Sequence, residues 1–318
     1  MLLALLAQAA ACGSGSTSTP GVDGEDASAD AGVSNVTDGS AAAKDGAVGT
    51  DAGGVIGGTR PVGVHVPPSY VAGKPMPLVI MLHGYSASSD AEEAYLGLTA
   101  VSDAKGFLYV RPNGTKDAMG NLFWNGTDGC CNFQAPFIDD STYLSNLIDE
   151  VSARFTVDPK RVYFIGHSNG GFMSYRMACD HGDKIAAIVS LAGAMWQDLS
   201  KCPAKTPVSV LEVHGTADTT IPYAGGSNAG RAFPGATTSV ADWTTYDGCS
   251  ATADTSAPNL DLEVGVAGAE TTVTKYATGC KAGTATELWT IAGGAHIPTF
   301  THDFAPGAID FLFAHPKS

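Results

Sequence analysis

The sequence predicts a wound α/β fold, a mostly parallel sheet with helices on both faces, preceded by a disordered tether. Three observations predict it. Short continuous apolar runs bounded by Gly or Pro recur along the chain, as strands buried on both faces require. Helical periodicity falls between those runs, the alternation of a wound sheet. The composition also changes near residue 59, where Tyr, Phe and Trp appear and Pro becomes frequent.

Taken in order, the chain opens with "MLLALLAQAAACGSGS". Residues 1–12 read as a signal peptide: an apolar stretch ending in small residues, too short for the roughly 20 residues that span a bilayer. Cys12 directly after "AAA" is placed as a lipobox cysteine, so a lipidated Cys12 would attach the chain to a membrane. Simple cleavage and release with Cys12 unmodified is the alternative. No Lys or Arg precedes the run, and Ala9 stands where Leu is usual, both departures from a lipoprotein signal.

Residues 13–58 consist almost wholly of Gly, Ala, Ser, Thr, Asp and Val, with no aromatic residue. Such a segment cannot bury enough apolar area to offset its conformational entropy and reads as a disordered linker. It holds Asp23, Glu25, Asp26, Asp30, Asp38, Asp45 and Asp51 against Lys44, so six of the fifteen net negative charges lie there. The remainder is only moderately acidic. No basic cluster follows a phosphate backbone, so nucleic acid is not expected as a partner.

Residues 59–318 then suit one large α/β domain. The strand candidates are 77–82 (PLVIML), 106–112 (GFLYVRP), 161–166 (RVYFIG), 186–193 (AAIVSLAG), 208–215 (VSVLEVHG) and 286–293 (TELWTIAG). Between them, Leu144, Leu147, Ile148, Val151 and Phe155 form the apolar stripe of a helix, with Asp140 or Ser141 as its N-cap. A second helix is expected over 171–179, and "PGAIDFLFAH" closes the chain as a third.

The stretch "VYFIGHSNGGFM" places Ser168 in a G-x-S-x-G pattern. With 39 glycines in the chain the bare pattern is weak, and its context decides. A strand candidate precedes it and a helix candidate follows, the setting of a nucleophile elbow. Gly166 and Gly170 would let strand and helix approach closely, and the helix N-terminus would favour a developing oxyanion. A serine nucleophile needs a base and a group to orient that base. In the α/β-hydrolase order an acid and then a His follow the Ser, and Asp218 and His296 stand at those stations, each just past a strand candidate. His302 and His315 lie late but lack the strand–Gly–Gly approach, and Asp254 and Asp261 follow no buried strand. The oxyanion hole is assigned to the N–H groups of Tyr85 and Asn169, with His83 a hydrogen-bonding residue beneath the loop.

With Cys12 set aside, six cysteines remain: Cys130, Cys131, Cys179, Cys202, Cys249 and Cys280. An even set in an exported protein reads as disulfides, though six allow 15 connectivities. Neither a C-x-x-C spacing nor a Cys/His cluster occurs, so no metal is expected, and the proposed chemistry requires no cofactor.

Several segments together resemble the secreted polyhydroxybutyrate depolymerase and feruloyl esterase family of α/β-hydrolases. They are "LHGY", "FWNGTDGCCNF", "DDSTYLSNLIDEVSARFTVDPKRVYFIGHSNGGFMSYRMAC", "HGTADTTIPYAGG" and the late "GC…GGAH". The resemblance spans most of 60–318. It implies an ester-hydrolysing triad on Ser168, Asp218 and His296. It also implies disulfides, Cys249 with Cys280, and Cys130 and Cys131 with Cys179 and Cys202, rather than a vicinal Cys130–Cys131 bond. Many members carry Trp-Pro-Gly at the cleft shortly after the His, whereas this chain has Ile297, Pro298 and Thr299. The resemblance therefore implies the activity class more sharply than the substrate. Trp124, Trp196 and Ile297 are the candidate substrate contacts, with local packing the competing role for the two Trp residues.

The function expected is a secreted or envelope-anchored serine carboxylic-ester hydrolase, a monomer acting on a polymeric ester. A polyhydroxybutyrate depolymerase-like polyester hydrolase is the first expectation and a feruloyl or acetylxylan esterase the alternative. A non-catalytic surface-binding lipoprotein with a hydrolase fold is the alternative of another class.

Overall fold

The computed structural model describes residues 54–133, 138–202 and 206–318. The leader with Cys12 and the tether up to residue 53 lie outside the described residues. In chain order the elements are β1 (Val64–His65), β2 (Met76–Leu82), α1 (Ser89–Leu96), α2 (Leu98–Lys105), β3 (Leu108–Val110), β4 (Thr115–Lys116) and β5 (Leu122–Phe123). There follow α3 (Asp140–Arg154), β6 (Val157–His167), α4 (Asn169–His181), β7 (Ala187–Leu191), β8 (Ser209–Gly215), β9 (Gly225–Asn228) and β10 (Arg231–Pro234). The chain closes with α5 (Ala236–Tyr246), β11 (Thr271–Tyr276), β12 (Thr286–Ile291) and α6 (Phe304–Ala314).

Eight strands form one sheet in the order β1-β3-β2-β6-β7-β8-β12-β11. The six inner strands run parallel, and β1 and β11 pair antiparallel at the edges. Because side chains alternate across a strand, each inner strand feeds two cores. Leu78, Ile80 and Leu82 of β2, Val162 and Phe164 of β6, and Val210 of β8 pack with α3, α4 and Trp243 of α5. Val79, Met81, Tyr163, Ile165, Leu211 and Val213 pack on the other face with Leu96, Leu98 and the Phe304–Leu312 stripe of α6. Burial on both faces is why these strands read as unbroken apolar runs. The fold is the α/β-hydrolase architecture expected, and no helix among the described residues is long and apolar enough to cross a membrane.

The structure corrects two local expectations. The packed body starts before Thr59: Ile56 is buried in the core, bridges to Val62, and is followed by Gly57, whose N–H donates to Glu150. The N-cap of α3 is Asp139, which accepts from the Thr142 N–H at 2.9 Å, rather than Asp140 or Ser141. Asp140 is wholly buried, paired with Arg60 and accepting from the Asn125 N–H.

The cysteines pair as Cys130–Cys131, Cys179–Cys202 and Cys249–Cys280. The last pair matches the family implication, but the implied cross-pairing of Cys130 and Cys131 with Cys179 and Cys202 does not occur. Cys130 packs with Phe172 near the start of α4, together with Ala194, Ile221 and Phe233. Cys179 lies seven residues further along the helix, roughly 10 Å at 1.5 Å per residue and beyond the reach of a disulfide. Cys202 instead lies with its Cα 5.0 Å from that of Cys179.

Candidate active site

Ser168 sits between β6 and α4 with φ 53° and ψ −117°, a conformation that L-residues rarely adopt. Such backbone costs about 1–3 kcal/mol and persists only where the surroundings hold it. Here the Ser168 N–H donates to the Leu191 carbonyl at 2.7 Å, and its own carbonyl accepts from Phe172 at 3.0 Å. The flanking glycines allow the contact. A Cβ on Gly166 would lie 2.2 Å from the Gly170 carbonyl oxygen, and one on Gly170 would lie 2.0 Å from that of Leu82. Gly171 is also confined, a Cβ there lying 2.8 Å from the Ser190 hydroxyl and 3.0 Å from Gly193.

The three residues proposed from the sequence as a triad are brought together. The Ser168 hydroxyl lies 2.9 Å from His296 Nε2, and His296 Nδ1 lies 2.7 Å from Asp218 Oδ2. With Nδ1–H donating to the carboxylate, Nε2 is left to accept the serine proton. Asp218 Oδ1 accepts from the Thr220 and Ile221 N–H groups, both at 2.8 Å. Burial works against the Asp218 charge, but the donors of His214 and His296 outweigh it and hold the carboxyl well below the usual range. Burial pushes the His296 imidazole down, its bond to Asp218 opposing and the charge of His167 adding to the shift. His302 is 93% exposed and pairs with its neighbour Asp303, and His315 bonds the Phe311 carbonyl, so neither is placed to serve as the base.

The candidate oxyanion donors are set by the loop after β2 and the start of α4. Gly84 packs against His167 and Ser168; a Cβ on it would lie 3.5 Å from the serine Cβ. The N–H groups on either side of Tyr85 are committed: Gly84 donates to Glu92 at 3.1 Å and Ser86 to the Leu122 carbonyl at 2.9 Å. The Asn169 N–H is the first of α4 and belongs to the helix donors without an intrahelical acceptor. His83 is fully buried, donates from Nδ1 to the Gly84 carbonyl at 2.7 Å, and accepts the Gly114 N–H at Nε2. It braces the loop as expected.

Trp124 is wholly buried, its ring tilted against that of His83 at 5.1 Å, and its backbone is clamped to the start of α4. The Asn169 amide accepts from the Trp124 N–H at 2.7 Å and donates to its carbonyl at 2.9 Å. Trp124 is therefore a packing residue, which corrects its assignment as a substrate contact. Trp196 packs on the core beneath the Lys201 ammonium, which stands 5.8 Å from the ring centre. Ile297, next to His296 in the chain, is 47% exposed. Tyr85 is 38% exposed, its hydroxyl donating to Asp117 at 2.6 Å, and it borders a hollow with Met119, Phe123, Cys131 and Phe133.

Sequence reasoning missed the residues behind the triad. Glu92 of α1 accepts from Gly84 and faces His167 Nδ1 at 3.5 Å, while His167 Nε2–H donates to the His296 carbonyl at 3.0 Å. Burial alone would depress His167; the Glu92 carboxylate outweighs it and raises the imidazole. One buried carboxylate thus ties the loop after β2 to the segment carrying His296. The signal was a His within "GHSNG" and an acid on the buried side of a polar helix. Among the described residues no group of His, Cys, Asp and Glu could hold a metal ion.

A phospholipase/carboxylesterase family model matches residues 71–254. Feruloyl esterase B of Piromyces equi is 29% identical over 74% of this chain and 42% of its own length. Feruloyl esterase D of Neurospora crassa is 26% identical over 77% of this chain and 76% of its own. Several curated relatives are matched over half or less of their length. Among solved structures, an acetyl xylan esterase from Aspergillus awamori superposes with TM-score 0.55 at 15% identity, covering 84% of this chain and 97% of that one, a likeness of fold.

Proposed function

The chain belongs to the phospholipase/carboxylesterase family, a family of carboxylic-ester hydrolases, and from that premise we propose that it hydrolyses carboxylic esters through a Ser168–His296–Asp218 triad. The observation that carries the proposal is the continuous pair of hydrogen bonds, 2.9 Å from serine to His296 and 2.7 Å from His296 to Asp218. His296 takes the Ser168 proton as the oxygen attacks the ester carbonyl. The Tyr85 and Asn169 N–H groups hold the tetrahedral oxyanion, and Asp218 orients His296 and stabilises its imidazolium. His296 then protonates the leaving alcohol. Water, deprotonated by the same imidazole, releases the acid from the acyl-enzyme and restores Ser168.

For the substrate we favour feruloyl esters of plant polysaccharide, supported by the feruloyl esterases among the relatives. Polyhydroxybutyrate polyester is the second substrate, carried by the sequence resemblance. Three disulfides fit an oxidising, extracytoplasmic location; attachment through a lipidated Cys12 and a monomeric state complete the proposal.

Purified full-length protein is to be tested on methyl ferulate, acetylated xylan, polyhydroxybutyrate film and p-nitrophenyl butyrate. Methyl ferulate turnover well above the other polymer-related substrates is expected, and Ser168→Ala should lower every rate by at least about 10³-fold. Wild-type rates in Ser168→Ala would overturn the triad, and film hydrolysis without feruloyl hydrolysis would reverse the substrate order.

A further inference from the structure

Behind the triad, β8 carries two buried ionisable side chains that the proposed mechanism does not use. Glu212 and His214 are two residues apart on the strand, essentially without solvent exposure. Glu212 Oε1 lies 3.0 Å from His214 Nδ1. His214 Nε2 lies 2.8 Å from the Ile221 carbonyl oxygen and 3.3 Å from Asp218 Oδ2. That carboxylate oxygen is the one bonded to His296.

We propose that Glu212 and His214 form a buried positioning pair that fixes Asp218 through the oxygen it shares with His296 and sets the pH at which His296 acts as base. The inference rests on the triad reading above. An imidazolium beside the Glu212 carboxylate, with a proton on each ring nitrogen, satisfies both the Glu212 and the Ile221 acceptors. The surroundings agree. Burial disfavours that cation, yet the hydrogen bonds to Asp218 and Glu212 raise His214 to about 10, and burial also raises Glu212, whose charge His214 sustains. The Tyr223 ring stands edge-on to His214 at 5.7 Å. The Ser190 hydroxyl of β7 and the Tyr175 hydroxyl of α4 face Glu212, and His167 and Ser168 of the elbow face His296.

Two effects follow. Asp218 accepts three hydrogen bonds, from the Thr220 and Ile221 amides and His296, and the His214 imidazole 3.3 Å from Oδ2 adds a charge contact that holds the carboxylate in place when His296 takes the serine proton. The His214 charge also opposes a second positive charge on His296, keeping that imidazole neutral and able to accept at lower pH. His214 and Glu212 do not reach the reacting atoms, so they are positioning residues.

The test uses His214→Gln and the double variant Glu212→Gln/His214→Gln, in which two amides replace the ion pair. The readouts are kcat and KM for p-nitrophenyl butyrate across pH, with thermal unfolding as a check. Both folded variants should move the acid limb of kcat/KM upward, by up to about two pH units, the effect of one charge about 6 Å away at an effective dielectric near 20. The fall should lie in kcat, with KM little changed. An acid limb that stays in place in the folded double variant, at full or uniformly reduced activity, overturns the proposal. Failure of the double variant to fold overturns it too, since the pair would then be structural. Ser168→Ala, run in parallel, separates these outcomes from failure of the triad itself.

Discussion

At the scale of single residues, Ser168 and His296 carry opposite kinds of tension. Ser168 is held at positive φ by two backbone hydrogen bonds, which lifts its hydroxyl toward His296. His296 is held below its ordinary proton affinity, chiefly by burial. The base must be neutral to accept a proton, so activity is present above its pKa and lost as pH falls through it. Because that pKa is lowered, half-maximal kcat/KM on the acid side should fall below about 6.5, the value of an unperturbed imidazole. A pH–rate profile on p-nitrophenyl butyrate checks this; an acid limb at or above that value counts against the geometry. Ser168, Asp218 and His296 were legible in the sequence because each closes a strand at a fixed station. Glu92 and His167 were not, because their roles arise only where α1, β2 and β6 meet.

At the scale of elements, the β6–Ser168–α4 turn depends on close backbone approach. Gly170→Ala would drive a Cβ against the Leu82 carbonyl, shifting α4 away from β2. The substitution should destabilise the protein by about 1–3 kcal/mol and abolish most activity, read by thermal unfolding together with esterase assay. Unchanged activity would mean that the turn tolerates a wider gap than its geometry allows. The inner strands were readable because burial on both faces makes them unbroken apolar runs. The edge strand β11, "TTVTKY", was not, since four of its six residues are Thr or Lys and only Thr271 is fully buried. Likewise α5, "ATTSVADWTTY", is rich in β-branched residues of low helix propensity and is held by buried Val240 and Trp243 rather than by local preference. The disulfide partners of Cys130 and Cys131 were hidden for a different reason: pairing follows where α4 carries Cys179, a distance that spacing in sequence does not encode.

At the scale of the whole molecule, the proposed catalytic network is built from buried ionisable groups, and another such group stands apart from it. Asp247, at the end of α5, is 1% exposed, and burial raises its pKa to about 7. Its unfolded value is near 3.8, so the unfolded chain loses this proton first as pH rises. Stability contributed by the protonated form is therefore present at low pH and declines between about 4 and 7. Asp247→Asn should stabilise the protein at pH 8 by up to about 4 kcal/mol and change little near pH 4, measured by denaturant unfolding at both. An equal effect at the two pH values would remove Asp247 from the pH response. The most direct measurement of the central claim is covalent labelling with a fluorophosphonate, followed by peptide mass spectrometry. The account predicts a single adduct on the Ser168 hydroxyl, abolished in His296→Ala. No adduct, or one on another serine with Ser168 unmodified, would contradict it.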